Sequence, residues 1–398
     1  MTDAALLAIL LAAIAGLLAG RAWAQALRRS EHGERPAFRT SPHYTQGLAF
    51  LAAGQAELAI SELTKVSRED PSALEVMLVL GNLLRERGQV ERAIQVHQKL
   101  LEKGDLLRGE RVHALACLGM DFRKAGFLDR ATATFTEVLA LDSKNLQALS
   151  GMLKLHEEQR QWREAYELQT RLSRLRKTDD TEVLGFLQAK LGEEAAGAGQ
   201  LDTARKAFQT ALSLDRRVFP AHLGLADLAE PKDPARAAAL LEAAVEAVPE
   251  RAYLAFDRLA RAYAASGAPS RFVALCEGLI ARDPRDWRAR LALARHLSGE
   301  GRHDEALGLL LRAVEANPQV LVLHLETWKT LRGLGVASHE VDRYLQTAEE
   351  SVFYRDPHIC TACRYRADDM LWRCPHCHEW NTFVEERVAA AAGAGPRF

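Results

Sequence analysis

Residues 80–101 read LGNLLRERGQVERAIQVHQKLL, and this stretch decides the fold. A small residue, Gly81, sits on a first helix, a turn follows, and twelve positions later a second small residue, Ala93, sits on a second helix. Two small residues so placed let a pair of antiparallel helices approach closely, where a bulkier side chain would push them apart. Working outward, the same arrangement returns in residues 48–71 (LAFLAAGQAELAISELTKVSREDP), 118–142 (LGMDFRKAGFLDRATATFTEVLALD) and 292–318 (ALARHLSGEGRHDEALGLLLRAVEANP).

The recurrence has a period of about 34 residues, that of the tetratricopeptide repeat. Gly47, Gly81, Gly119, Gly192 and Gly224, with Ala260 and Ala294 as substitutes, read as the first small position. Ala59, Ala93, Ala131, Ala165, Ala204 and Ala306 read as the second, and Phe272 breaks the pattern. Pro71, Pro249, Pro284 and Pro318 close individual repeats, because proline lacks the N–H that helix continuation needs and restricts the residue before it. The fold class expected is therefore all-α: a curved solenoid of about eight repeats between Thr40 and Pro318, the fourth and sixth degenerate, followed by capping helices to about Ser351.

Such a stack presents a long groove lined by the first helix of each repeat, a geometry suited to peptides and protein segments. Asn82, Arg85 and Arg123 fall at first-helix positions that usually face this groove and are candidate partner-binding residues. For any one of them an ordinary solvated helix face is the alternative. His97 falls where the second helix carries a packing residue, with no cysteine, aspartate or second histidine near it at ligand spacing, so it reads as a satisfied, partly buried core histidine.

At the amino end, residues 4–20 (AALLAILLAAIAGLLAG) carry no charge, and apolar character resumes past Arg21. Together they approach the ~20 residues that span a bilayer core. Arg21, Arg28, Arg29, Arg35 and Arg39 follow on the carboxyl side, which by the positive-inside rule places the body of the chain in the cytoplasm. A cleaved signal peptide is the rival reading, with a periplasmic scaffold as its consequence, but the segment before the apolar run lacks lysine and arginine.

The chain of 398 residues is 48% hydrophobic, which suits two or three folded domains, and its net charge of -1 gives no electrostatic footprint for nucleic acid. No phosphate-binding loop, no G-x-S-x-G and no H-E-x-x-H occurs, so an enzyme is not expected.

Four of six cysteines fall in CTACRYRADDMLWRCPHC, residues 360–377, with the form C-x2-C-x10-C-x2-C. Two turns, each offering two thiolates, suit tetrahedral zinc, so Cys360, Cys363, Cys374 and Cys377 are the candidate ligands. An iron centre, a redox dithiol pair and a mixed site using His358, His376 or His378 are the alternatives. Leu371, Trp372, Trp380 and Phe383 are too few to form an independent core, which makes the metal a source of folding free energy. With four arginines against five carboxylates between residues 360 and 388, the module is a poor phosphate binder.

The order of parts, with Y-R-x4-C-x2-C-x10-C-P-x-C-x2-W at the end, resembles the lipopolysaccharide assembly protein B family over nearly the whole chain. The likeness is densest in residues 44–60, 80–101, 122–131 and 371–383, and weaker in the repeats after about Leu175. The resemblance implies an inner-membrane, cytoplasm-facing scaffold that regulates lipopolysaccharide synthesis, with a rubredoxin-like domain packed on the repeats. Its implied partners are a membrane AAA protease and the lipid A pathway deacetylase, with a homo-oligomer left open and no nucleic acid. Its implied metal ligands are the same four cysteines. One departure is Arg364, directly after the second cysteine, where the family often has glycine. The organisation expected is an anchor at 1–27, a linker at 28–39, repeats and capping helices at 40–351, the metal domain at 352–388 and a flexible tail at 389–398. A membrane-tethered scaffold for another envelope complex is the alternative function, and a zinc-ribbon nucleic-acid or redox module a more distant one.

Overall fold

The computed structural model describes residues 41–70, 73–103, 106–318, 320–336 and 358–385. The anchor, the linker, Pro71, the end of the capping region and the tail lie outside them. Among the described residues no helix is long and apolar enough to cross a membrane.

These residues form tetratricopeptide-like helix pairs followed by a small three-stranded domain. The first pair is Pro42–Ala52 with Ala56–Glu69, the second Leu74–Glu86 with Val90–Leu101, and the third Arg108–Lys124 with Leu128–Leu141. Helix Leu146–Glu158 follows in sequence, and then helix Trp162–Arg176. The pairs Thr181–Gly197 with Leu201–Leu214 and Phe219–Ala229 with Pro234–Ala247 follow. The 3-10 turn Pro249–Ala255 leads into Phe256–Ala265 with Ser270–Arg282, then Trp287–Gly299 with His303–Ala316, and helix Leu321–Gly333. The chain divides into two compact units, one ending at Leu155 and one beginning at His156.

In the first unit the small residues act as their spacing suggests. Ala59, Ala93 and Ala131 are wholly buried. A Cβ on Gly119 would stand 2.6 Å from the Phe135 ring, and one on Gly151 would strike the same ring from the next pair. Phe135 is thus a fully buried aromatic knob held between two glycine holes.

His97 takes the corresponding knob position against Gly81. It is completely buried rather than partly so, and its Nδ1 lies 2.5 Å from Oδ2 of Asp121, which is buried as well. Arg85 Nη1 donates to the other Asp121 oxygen at 2.8 Å. A carboxylate 24 positions away in sequence therefore pairs with Nδ1 of a histidine that seemed to have no acidic neighbour, while its Nε2 is buried against Gly81 without a partner among the described residues. Buried charge is tolerated where it is paired and hydrogen-bonded, and the Asp121 carboxylate meets that condition through both oxygens.

The second unit repeats the device with Phe208, between Gly192 of its own pair and Gly224 of the next. Gly224 therefore does not receive its own pair's second helix, as its spacing suggested. Ala226 and Ala238, both buried and twelve positions apart, fall at that crossing instead. Phe272 is buried, with its ring edge-on to Phe256 at 6.4 Å and to His296 at 5.1 Å, so the seventh pair accepts a ring where others hold alanine.

The turns explain the two degenerate repeats. Most pairs turn through a glycine at positive φ, Gly88 at 76° and Gly301 at 80° among them. In the fourth repeat of the sequence that place belongs to Arg160, at φ 57°. In the sixth, Asp233 stays at φ -146°, its carboxylate accepts from the Arg236 amide, and Pro234 starts the helix. Each is a different solution to the same turn, and each erases the glycine that marks the repeat in sequence.

Candidate metal centre and its seat on the repeats

Three short strands, β1 (His358–Cys360), β2 (Arg366–Ala367) and β3 (Phe383–Glu385), form an antiparallel sheet in the order β2-β1-β3. Cys360 lies opposite Phe383, and these two with Cys374 are wholly buried and make the small core.

The two C-x2-C turns are built alike. The Cys360 amide donates to the Tyr365 carbonyl at 2.8 Å and the Cys374 amide to the Glu379 carbonyl at 2.9 Å. The Arg364 amide returns to the Cys360 carbonyl at 2.8 Å, and the His378 amide to the Cys374 carbonyl at 3.0 Å. Closing each turn requires positive φ in the residue after the second cysteine, and Arg364 (65°) and His378 (63°) both adopt it. Arg364 thus occupies a left-handed position that glycine would adopt without a Cβ penalty.

The four Sγ atoms of Cys360, Cys363, Cys374 and Cys377 lie within 4.8 Å of one another. Cys360 is 3.6 Å from Cys377, and Cys363 is 3.5 Å from Cys374. Zn–S bonds of ~2.3 Å in a tetrahedron place sulfurs about 3.8 Å apart, so the cluster has the dimensions of a metal cage. Its electrostatics agree. Burial opposes ionisation of Cys360, but hydrogen bonds from the Thr382 hydroxyl and the Cys363 and Ala362 amides prevail and bring the thiol down to about 6. Burial, with the adjacent thiols, pushes Cys377 up to about 12, and burial raises Cys363 too. One thiolate forms readily, and further ones require a cation in their midst. The amide of His376 points to Cys374 Sγ at 3.4 Å, and His376 and His378 are not members of the cluster.

Trp372 and Trp380 turn away from this core and onto the repeats. Trp380 stacks on Phe186 at 5.6 Å and meets Trp162 edge-on at 6.3 Å, while Trp372 stacks on Phe219 at 6.1 Å. Between them Glu157, almost fully buried, accepts from Trp380 Nε1 at 3.0 Å and from Arg373 Nη2 at 2.8 Å. Asn381 donates to Glu182 at 2.5 Å, and Glu385 pairs with Arg288, whose Nε lies 2.9 Å away. The metal domain is therefore fastened to the repeats by aromatic stacking around a buried ion pair. Sequence reading assigned both tryptophans to the metal domain's sparse core. Their placement explains why that core looked insufficient.

Of the candidate partner-binding residues, Arg85 is engaged by Asp121, and its side chain is 15% exposed. Asn82 borders a cavity of ≈ 350 Å³ in the first unit with Tyr44, Leu48, Val79 and His113. Arg123 is half-buried on helix Arg108–Lys124. Asp121, Glu157 and Glu182 were not singled out from sequence, because single acidic residues on helices carry no local mark of burial or pairing.

Comparison with known proteins agrees with this organisation. Residues 358–385 match a family described as a rubredoxin metal binding domain. Residues 44–106 and 189–252 match one tetratricopeptide repeat family, and residues 273–328 another. The chain is 24% identical over 385 residues to lipopolysaccharide assembly protein B of Escherichia coli, covering 96% of this chain and 97% of that one. The Haemophilus influenzae protein of the same name is 24% identical over 357 residues, covering 86% and 89%. The resemblance read from the sequence thus extends along both proteins. Among solved structures, the C-terminal part of a TPR repeat-containing protein from Cytophaga hutchinsonii aligns with 73% of this chain and 99% of its own at 13% identity, with a TM-score of 0.42.

Proposed function

We propose that this chain is a non-catalytic, membrane-tethered adaptor in the regulation of lipopolysaccharide assembly. The observation that carries the reading is the near-full-length similarity to proteins named lipopolysaccharide assembly protein B, which spans the repeats and the metal domain in one alignment. The helix pairs supply surface for protein partners, and four clustered cysteines fill the four positions of a tetrahedral metal site.

In this reading residues 1–27 anchor the chain in the inner membrane with the bulk in the cytoplasm, and residues 28–39 link anchor and repeats. The repeats then hold the lipid A pathway deacetylase beside a membrane AAA protease. Tethering raises the local concentration of client at the protease, so colocalisation rather than chemistry sets the rate. Cys360, Cys363, Cys374 and Cys377 hold one structural zinc, which supplies folding free energy to a domain whose own core is three side chains deep.

The test is the half-life of the deacetylase in native cells with and without this protein. A longer half-life on its removal supports the adaptor role. An unchanged half-life means that the scaffold serves a different client.

A further inference from the structure

Five arginines, Arg217, Arg251, Arg282, Arg285 and Arg288, border one cavity of ≈ 600 Å³ in the second unit. Arg251 comes from the turn Pro249–Ala255, Arg282 ends helix Ser270–Arg282, and Arg288 opens helix Trp287–Gly299. The facing wall is β3 of the metal domain, which is an edge strand of its sheet.

Four carboxylates, Glu250, Asp283, Asp286 and Glu385, also line this cavity, and each has a local commitment. Glu250 accepts from Arg217 at 3.0 Å, and Glu385 from Arg288 Nε at 2.9 Å. Asp283 accepts the Arg285 amide at 2.9 Å, and Asp286 caps its helix through the Arg288 and Ala289 amides. Among the described residues, the guanidinium groups of Arg251, Arg282 and Arg285 have no hydrogen bond or ion pair. Arg251 is half-buried over the Trp372 ring, 4.9 Å from its centroid, and burial pulls it below its ordinary value. For Arg251, partial desolvation without an acceptor is costly and a bound anion removes that cost, while Arg282 and Arg285 are exposed and free to turn towards such an anion.

We propose that this cavity is a recognition site for an acidic segment of a partner protein, with Arg251, Arg282 and Arg285 as its carboxylate receptors. The contact between Glu385 and Arg288 in the same cavity is an internal example of the recognition. A planar guanidinium matches a carboxylate in two-point geometry. The volume suits several residues of peptide better than a single inorganic ion. Tyr253, Leu279, Phe383 and Val384 add apolar wall between the charges, and an edge strand is a natural neighbour for an extended chain. The inference deepens the adaptor reading by giving the chemistry of one segment the adaptor would hold.

The experiment uses the full-length, metal-loaded protein in detergent and a fluorescein-labelled peptide of alternating glutamate and valine, read by anisotropy, with the glutamine-for-glutamate peptide as control. The expected result is binding of the acidic peptide alone, weakening as NaCl rises. Arg282→Glu with Arg285→Glu weakens it at least tenfold, and Arg282→Gln with Arg285→Gln weakens it several-fold. The charge-matched pair Arg163→Glu with Arg174→Glu, on helix Trp162–Arg176, changes it less than twofold. Helical circular dichroism and metal content stay at wild-type values in all three. Equal binding of both peptides, or unchanged affinity in both Arg282/Arg285 variants, overturns the proposal. So does full displacement by inorganic phosphate at sub-millimolar concentration, which identifies a phosphate site. The peptide assay reads the cavity and the deacetylase half-life reads the adaptor role, so either can fail visibly without the other.

Discussion

At the scale of single residues, the core is set by what fits beside a ring. Alanine is normally a better helix former than glycine by ~1 kcal/mol. At Gly119 the order reverses, because the added Cβ would stand 2.6 Å from Phe135, a ring already confined on its other side by Gly151. Overpacking of this kind costs about 1–3 kcal/mol, so Gly119→Ala should lower the urea midpoint despite its helix propensity. Asp121 is the second sensitive position. Asp121→Ala leaves Arg85 and His97 without their carboxylate and should cost about 3–5 kcal/mol in the same assay. Cys117 and Cys276 stand apart from the metal cluster, and burial raises both thiols, Cys276 to about 12. Folding therefore favours their protonated forms. Their contribution is whole below the ordinary thiol value near 9 and is lost as pH rises above it, for Cys276 over the range towards about 12. Iodoacetamide at pH 8 should leave both unlabelled in the native protein and label both in urea.

At the scale of elements, the metal domain and its seat form one cooperative feature. Cys374→Ser, or a strong chelator, removes one corner or the centre of the cluster and should unfold the three strands. Trp372 and Trp380 then lose their stacking partners, so tryptophan fluorescence should shift to the red while helical circular dichroism changes little. If the emission stays fixed on metal loss, the domain holds its seat without the ion. Arg364→Gly tests the turn itself. Relief of a left-handed arginine, set against the greater freedom glycine has when unfolded, should leave a gain of under about 1 kcal/mol, seen as slower metal loss to a chelator.

For the whole molecule, function in the proposed reading depends on tethering. A chain lacking residues 1–27 should keep its helix content and its metal yet fail to restore deacetylase turnover in cells, because the effective concentration gained at the membrane is gone. Restoration by the untethered chain would show that the repeats alone suffice.

The sequence by itself determined the repeat period, the crossing residues of most helix pairs and the four-cysteine cluster. All of these are encoded in short, regular spacings: twelve residues between small positions, two between paired cysteines. It misplaced Gly224 by two positions, and it obscured the fourth and sixth turns, because Arg160 and the Asp233–Pro234 cap replace the glycine marker. Only the tertiary structure decided which buried polar groups meet. Asp121 finds His97 across 24 positions, and Glu157 finds Arg373 across 216. The seat of the metal domain, and the arginine cavity beside it, were likewise illegible in sequence. Such pairings depend on the path of the intervening chain through space, and no local period records that path.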